Sequence, residues 1–279
     1  MPTYETDGPI STILEFDIGS VWIKASKRTD AVVEVRPANP AKEADVKAAE
    51  QTQVDFSGGR LGIKTPKQRS VFASKKGAVE IMVELPLGSE VHSESPMAEF
   101  VTEGPLGACR LKTSLGRIQV EQADSARLDT GFGDVRLGGT AFDAEVTGSG
   151  RIEVGSVGGR LTVKNSIGDV EIDEVHGEVQ VNASNGRIQI GRAEGSVDAK
   201  SAHGHIRVGR VARGQVALQT SVGDVEVGIA EGTAAWLDVH AKVGGVRNDL
   251  GPTTGPGDAV ETVEVRGRTQ VGNVIVRRA

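Results

Sequence analysis

Aromatic side chains are scarce in this sequence. Six phenylalanines, two tryptophans and one tyrosine make up 3% of 279 residues, which leaves few platforms on which bases or sugars could stack. A single cysteine, Cys109, excludes an internal disulfide framework. No stretch approaches the ~20 apolar residues that a membrane-crossing helix needs. The opening segment, Met1 to Asp7, carries neither a basic nor an apolar leader, so the expectation is a cytoplasmic chain with no direct membrane insertion. The net charge of −6 disfavours nucleic acid as a partner.

What is abundant is glycine, at 37 residues, and it recurs in register. Units of the form Leu111-Lys-Thr-Ser-Leu-Gly116-Arg-Ile-Gln-Val120 and Leu128-Asp-Thr-Gly-Phe-Gly133-Asp-Val-Arg-Leu137 are followed by relatives around Gly150, Gly168, Gly186, Gly204, Gly223, Gly244 and Gly272. Most repeats are about 17–19 residues long. Two places after the glycine stand Ile118, Val135, Ile152, Val170, Ile188, Ile206, Val225, Val246 and Val274, all β-branched. Four places after it stand Val120, Leu137, Val154, Ile172, Ile190, Val208 and Val227, until the column breaks at Asn248. Apolar pairs such as Leu161/Val163, Val179/Val181 and Val216/Leu218 precede the glycine.

Each unit reads as strand, glycine turn, strand, short loop, with an apolar face of period 2. One such unit cannot bury that face; a parallel stack can. The fold class is therefore all-β: a single-stranded parallel β-helix, or β-solenoid, of roughly eleven or twelve rungs. Small or hydroxyl residues three places before the glycine (Thr113, Thr130, Thr147, Asn165, Ala183, Ser201, Thr220) are expected to point inward at the corner. One place after it, Arg117, Asp134, Arg151, Asp169, Arg187 and Asp224 form a charge ladder. Opposite charges on neighbouring rungs would favour one register.

The expected organisation is one solenoid domain over 1–279. Residues 1–105 form irregular N-terminal rungs, with Ile18–Ile23, Gly59–Ile63 and Gly77–Ile81 repeating the phrase. A capping helix spans about 40–51, with Asn39 as N-cap and Pro40 in the first helical position. Residues 106–248 hold the regular repeats, and 249–279 a Pro/Gly loop and a capping strand.

The repeated Gly-x-Val/Ile-x-Val phrase, the segment Asn39 to Glu50 and the strand Val79-Glu-Ile-Met-Val-Glu-Leu-Pro86 resemble the β-strand-repeat family known as "putative adhesin", or toast-rack, common in actinobacteria. The similarity runs over nearly the whole chain. It implies a single-stranded parallel β-helix and brings no catalytic residues with it. Some members follow membrane segments and are associated with envelope-stress signalling.

No catalytic constellation stands out. His203 and His205 are the metal candidates, but no Cys, Asp or Glu at a ligand spacing completes a set, and solvated corner histidines are the plainer reading. Gly133-Asp134, Gly168-Asp169 and Gly223-Asp224 invite a calcium reading, yet calcium nonapeptide repeats have about half this period. Gly148-Ser149-Gly150 lies between strands, where a nucleophile elbow would lead into a helix. Cys109 falls in an inward column.

The expectation is a non-enzyme without cofactor: a structural or interaction protein whose rigid surface meets a protein partner or another copy of itself. The alternatives are a carbohydrate-binding or calcium-assisted carbohydrate-active β-helix, which a groove with acids and Trp236 would favour, and, by family analogy, an accessory domain in envelope-stress signalling.

Overall fold

Strands dominate because the inward columns are almost wholly aliphatic, and such faces gain most when neighbouring rungs seal them from water. The computed structural model describes residues 2–66, 76–251 and 261–279. It is an all-β parallel β-helix with one short helix. The chain falls into two compact units, Met1–Gly139 and Thr140–Ala279.

The first unit contains β1 (Thr3–Glu5), β2 (Ser11–Glu15), β3 (Ile18–Ser26), β4 (Asp30–Pro37), α1 (Glu43–Glu50), β5 (Gln53–Ser57) and β6 (Arg60–Lys64). β7 (Val79–Pro86), the long β8 (Glu90–Leu115), β9 (Ile118–Phe132) and β10 (Val135–Thr140) follow. Here the chain's first rung is not the outermost. β2 lies between β6 and β8, and β3 between β7 and β8, all parallel. β8 continues in register onto β9.

The outer side of this unit corrects the expectation of parallel rungs throughout: β4 runs antiparallel to β7, β5 to β6 and β1 to β4. Antiparallel strands need only tight turns, such as the Gly58–Gly59 corner at φ 57° and 72°. They can therefore close a stack locally.

The helix begins later than the sequence suggested. Asn39 and Pro40 form a turn: the Asn39 side chain accepts from the Ala41 N–H at 2.9 Å and its carbonyl from the Lys42 N–H at 3.0 Å. Lys42 occupies the N-cap position. Asn here spends its side chain on its own backbone, a use that competes with capping three residues on. What holds α1 down is Asp45, a buried carboxylate that accepts from the backbone N–H groups of Asn39 and Ala78 at 3.1 and 3.0 Å.

The second unit contains β11 (Ala144–Gly148), β12 (Ile152–Val157), β13 (Leu161–Ile167), β14 (Val170–Val175), β15 (Val179–Asn185), β16 (Ile188–Ala193) and β17 (Val197–His203). Then come β18 (Ile206–Val211), β19 (Gly214–Val222), β20 (Val225–Ile229), β21 (Thr233–Val243), β22 (Val246–Asn248), β23 (Glu261–Val271) and β24 (Val274–Arg278). One wall runs β11-β13-β15-β17-β19-β23-β21 and the other β12-β14-β16-β18-β20-β24-β22, parallel throughout. Ile152 faces Val170, Val170 faces Ile188 and Ile188 faces Ile206, one layer apart.

The terminal rung corrects the expected C-terminal cap. β23–β24 does not close the stack; it is inserted between β19–β20 and β21–β22, so among the described residues the outermost rung is β21–β22. The side chains explain the order. Val263, Val265, Val274 and Val276 are buried, whereas β22 carries Asn248 in the inward column and is exposed along its length. The more aliphatic rung takes the place with two neighbours. Of the Pro/Gly loop expected at the start of 249–279, residues 252–260 lie outside the described residues.

Eight of the nine repeat glycines have positive φ, from 106° at Gly168 to 158° at Gly204; Gly150 does not. Close approach adds to the requirement: a Cβ on Gly186 would strike the Gly168 carbonyl one rung away. Gly232 (φ 75°) has open space around it. Gly232→Ala should therefore cost only the ~1–2 kcal/mol of left-handed strain. Gly186→Ala should cost about 3 kcal/mol or more, through strain plus a displaced rung. Urea unfolding of the two variants checks the difference.

Candidate interaction surface

A β-helix exposes two kinds of surface, its flanks and its ends, and the repeat decides which side chains line each. Of the corner positions read as inward, Thr113, Thr130, Asn165, Ser201 and Thr220 are buried and Ala183 is half-buried, whereas Thr147 stands beside Lys164 and Gly148 takes the inward place beside Asn165. The Thr130 and Thr220 hydroxyls each donate to a corner carbonyl, of Gly116 and Gly204, at 2.9 Å. Cys109 is fully buried, and burial pushes its thiol up to about 12, so it is an inert core residue.

On the flank of the second unit, Asp169 and Arg187 stand one rung apart and join at 3.0 Å. The Arg187 backbone N–H and guanidinium hold the Asp169 carboxyl below its usual range. Other ladder residues also have neighbours outside the ladder. Arg117 approaches Glu99 at 3.6 Å, Arg151 approaches Glu153 at 3.6 Å, and Asp224 receives the Asn273 N–H at 2.7 Å. Exposed pairs of this kind are worth ~0.2–1 kcal/mol each.

The two candidate metal histidines part ways. His205 Nδ1 accepts the Asp224 N–H at 3.0 Å, and His203 lies in the exposed corner column, paired in register with Asn185 and Val222. A different histidine has acidic company. The ligand atoms of Glu174, His176 and Glu194 lie within 4.8 Å of one another, and sequence reading missed them although Glu194 follows His176 by one repeat. Internal pairs already satisfy them: His176 Nδ1 to Glu194 at 2.9 Å and Arg192 to Glu174 at 3.2 Å. The Glu194 hydrogen bond, with the nearby carboxylate charges, raises the His176 pKa above the usual imidazole value and lowers that of Glu194.

The nearby hollow of about 290 Å³ is lined by Arg192, Arg210 and Arg213 with Glu194 and Glu261. In the first unit a hollow of about 360 Å³ holds Asp17, His92, Glu94 and Lys112 among its lining residues. Trp236 lines neither, so the sugar groove that would favour a carbohydrate reading is not formed by these hollows.

The residues that sequence reading passed over stand one place before the corner glycine. In register, Ile167, Asn185, His203, Val222, Val271 and Val243 follow one another rung by rung. Val222, Val271 and Val243 are consecutive and 45%, 49% and 59% exposed. This apolar stripe ends on the outermost rung at Val243, close in sequence to Val246, which is 48% exposed; Trp236, 60% exposed, stands on the other face of the same strand. Outermost position also explains why Leu237 and Val239 are only half-buried, while Val265, one rung in, is buried.

The Toastrack DUF4097 family model matches residues 14–270. The chain belongs to this family. Among solved structures, a "putative adhesin" from Bacteroides fragilis is 14% identical, covering 99% of this chain and 95% of that one, with a TM-score of 0.37. A "putative adhesin" from Parabacteroides merdae is 12% identical over 98% and 94%, TM-score 0.36. A "putative lipid binding protein" from Parabacteroides distasonis is 9% identical over 100% and 95%, TM-score 0.31. No curated protein matches. Among the described residues of this Toastrack chain, no helix is long and apolar enough to cross a membrane.

The His176–Glu194 pair has a definite pH signature. The folded-state pKa of His176 is raised, so the stabilisation it brings is complete below the unfolded imidazole value and disappears as pH rises through the higher folded one. An NMR titration should place its midpoint above 6.5, and Glu194→Gln should lower that midpoint.

Proposed function

We propose that this Toastrack chain is a non-catalytic interaction protein whose rigid β-helix offers the outermost rung of its second unit, with the adjoining apolar stripe, to a protein partner. The carrying observation is the exposed run Val222–Val271–Val243, which ends on the outermost rung near Val246, together with the separate exposed Trp236 on the outward face of that rung. Exposed apolar side chains gathered on one rung, with Asp238, His240 and Lys242 on the same strand as Trp236, mark a contact surface. Stacked strands hold it in shape before binding, so little ordering entropy is lost on association.

The chemistry of the titratable groups supports the same reading. Cys109 is buried, the His176 cluster is internally paired, and Asp169 of the ladder is paired with Arg187.

The test compares the wild-type chain with a Trp236→Lys/Val271→Lys variant of unchanged melting temperature. The immobilised wild type should retain a protein, its own chain or another, that the variant retains at least about tenfold less. Equal retention by both, or retention by neither, overturns the reading.

A further inference from the structure

The identity of the partner can be read from the edge itself. Among the described residues β21 is paired on one side only, with β23. The other side of such a strand presents unpaired N–H and C=O groups, which sheets usually block with proline, a bulge or a cover. β21 contains no proline, and its register with β23 runs without a shift from Thr233 to Ala241. Its inward residues Ala235, Leu237, Val239 and Ala241 are half-exposed. A further strand laid along this edge would pair the backbone and cover the end of the core together.

The sequence of β21 is complementary to itself. Let a second β21 run antiparallel to the first with a two-fold axis at Val239. Asp238 then faces His240 of the second copy, and His240 faces its Asp238. Trp236 faces Lys242, a cation over an aromatic ring. Inward side chains meet inward ones: Leu237 opposes Ala241, Ala235 opposes Val243, and Val239 opposes itself. Moving the axis to Asp238 would set that carboxylate against its own copy, which like-charge repulsion disfavours. Moving it by half a residue would turn every apolar side chain to the wrong face. Asp238 is already held in place by Arg268 at 2.9 Å, and His240 sits beside Arg268 in the ladder. Both are therefore oriented on the outward face before any partner arrives.

We infer that the outermost rung of the second unit pairs with a second copy of this chain, β21 against β21, antiparallel about Val239. The inference rests on the interaction-protein reading above and names its partner. A closed two-fold contact of this type uses the same patch on both copies and pairs the free edge of β21 on each.

Sedimentation velocity and light scattering of the full chain, from about 1 to about 200 µM, give the test. The wild type should reach twice the 29.2 kDa of one chain. Asp238→Lys and His240→Glu, each made singly, should raise the dissociation constant about tenfold or more. The double variant restores opposite charges across the axis and should return to near the wild-type value, with melting temperatures reporting that all three variants fold. A dimer indifferent to the single changes, or a double variant no tighter than the singles, overturns the inference. So does a monomer at every concentration. If that monomer still retains another protein through Trp236 and Val271, only this inference falls; if it retains none, the interaction reading falls with it.

Discussion

Parallel in-register stacking of aliphatic columns is the constraint on which everything else rests. At ~4.8 Å between strands, Ile152, Val170, Ile188 and Ile206 meet side chain to side chain. None of these rungs could exclude water from its apolar face alone. The same spacing forbids a Cβ at corners where one rung's glycine lies on the carbonyl of the next, as Gly186 does on Gly168. It also turns sequence separation by one repeat into contact, which is why Asp169 meets Arg187 and His176 meets Glu194.

A stack must end, and its ends are where the aliphatic columns run out of neighbours. In the first unit the rung of β2 and β3 lies inside, and β1, β4, β5 and α1 surround the outer rung. In the second unit the rung of β23 and β24 lies inside, and β21–β22 is left as the outer layer. Both chain ends thus supply well-buried rungs, and later or earlier segments take the exposed positions. Function follows from this arrangement, because an outer layer with half-covered Leu237 and Val239 is the part of the second unit with most to gain from a partner.

Much of the candidate surface was present in the sequence without being recognisable as surface. Val222, Val243 and Val271 stand one place before a corner glycine, with the same parity as the inward columns, and periodicity alone assigns them to the core. They are exposed because the chain turns at the corner before the side chain can reach inside. Asn248 was visible as a break in an inward column, but its meaning, that this rung lies outermost, needs the pairing of β22 with β24. Glu174, His176 and Glu194 were separated by the repeat length and could have been found from that spacing.

Period-2 alternation and the glycine interval by themselves determined the parallel β-helix, its inward columns and the buried state of Cys109, because those features depend only on local chain direction and on burial of one face. The order of the end rungs, the antiparallel cover of the first unit and the displaced start of α1 were decided by the tertiary structure. Each depends on competition between distant segments for positions with two neighbours, and that competition is settled by total apolar burial, which no local pattern records.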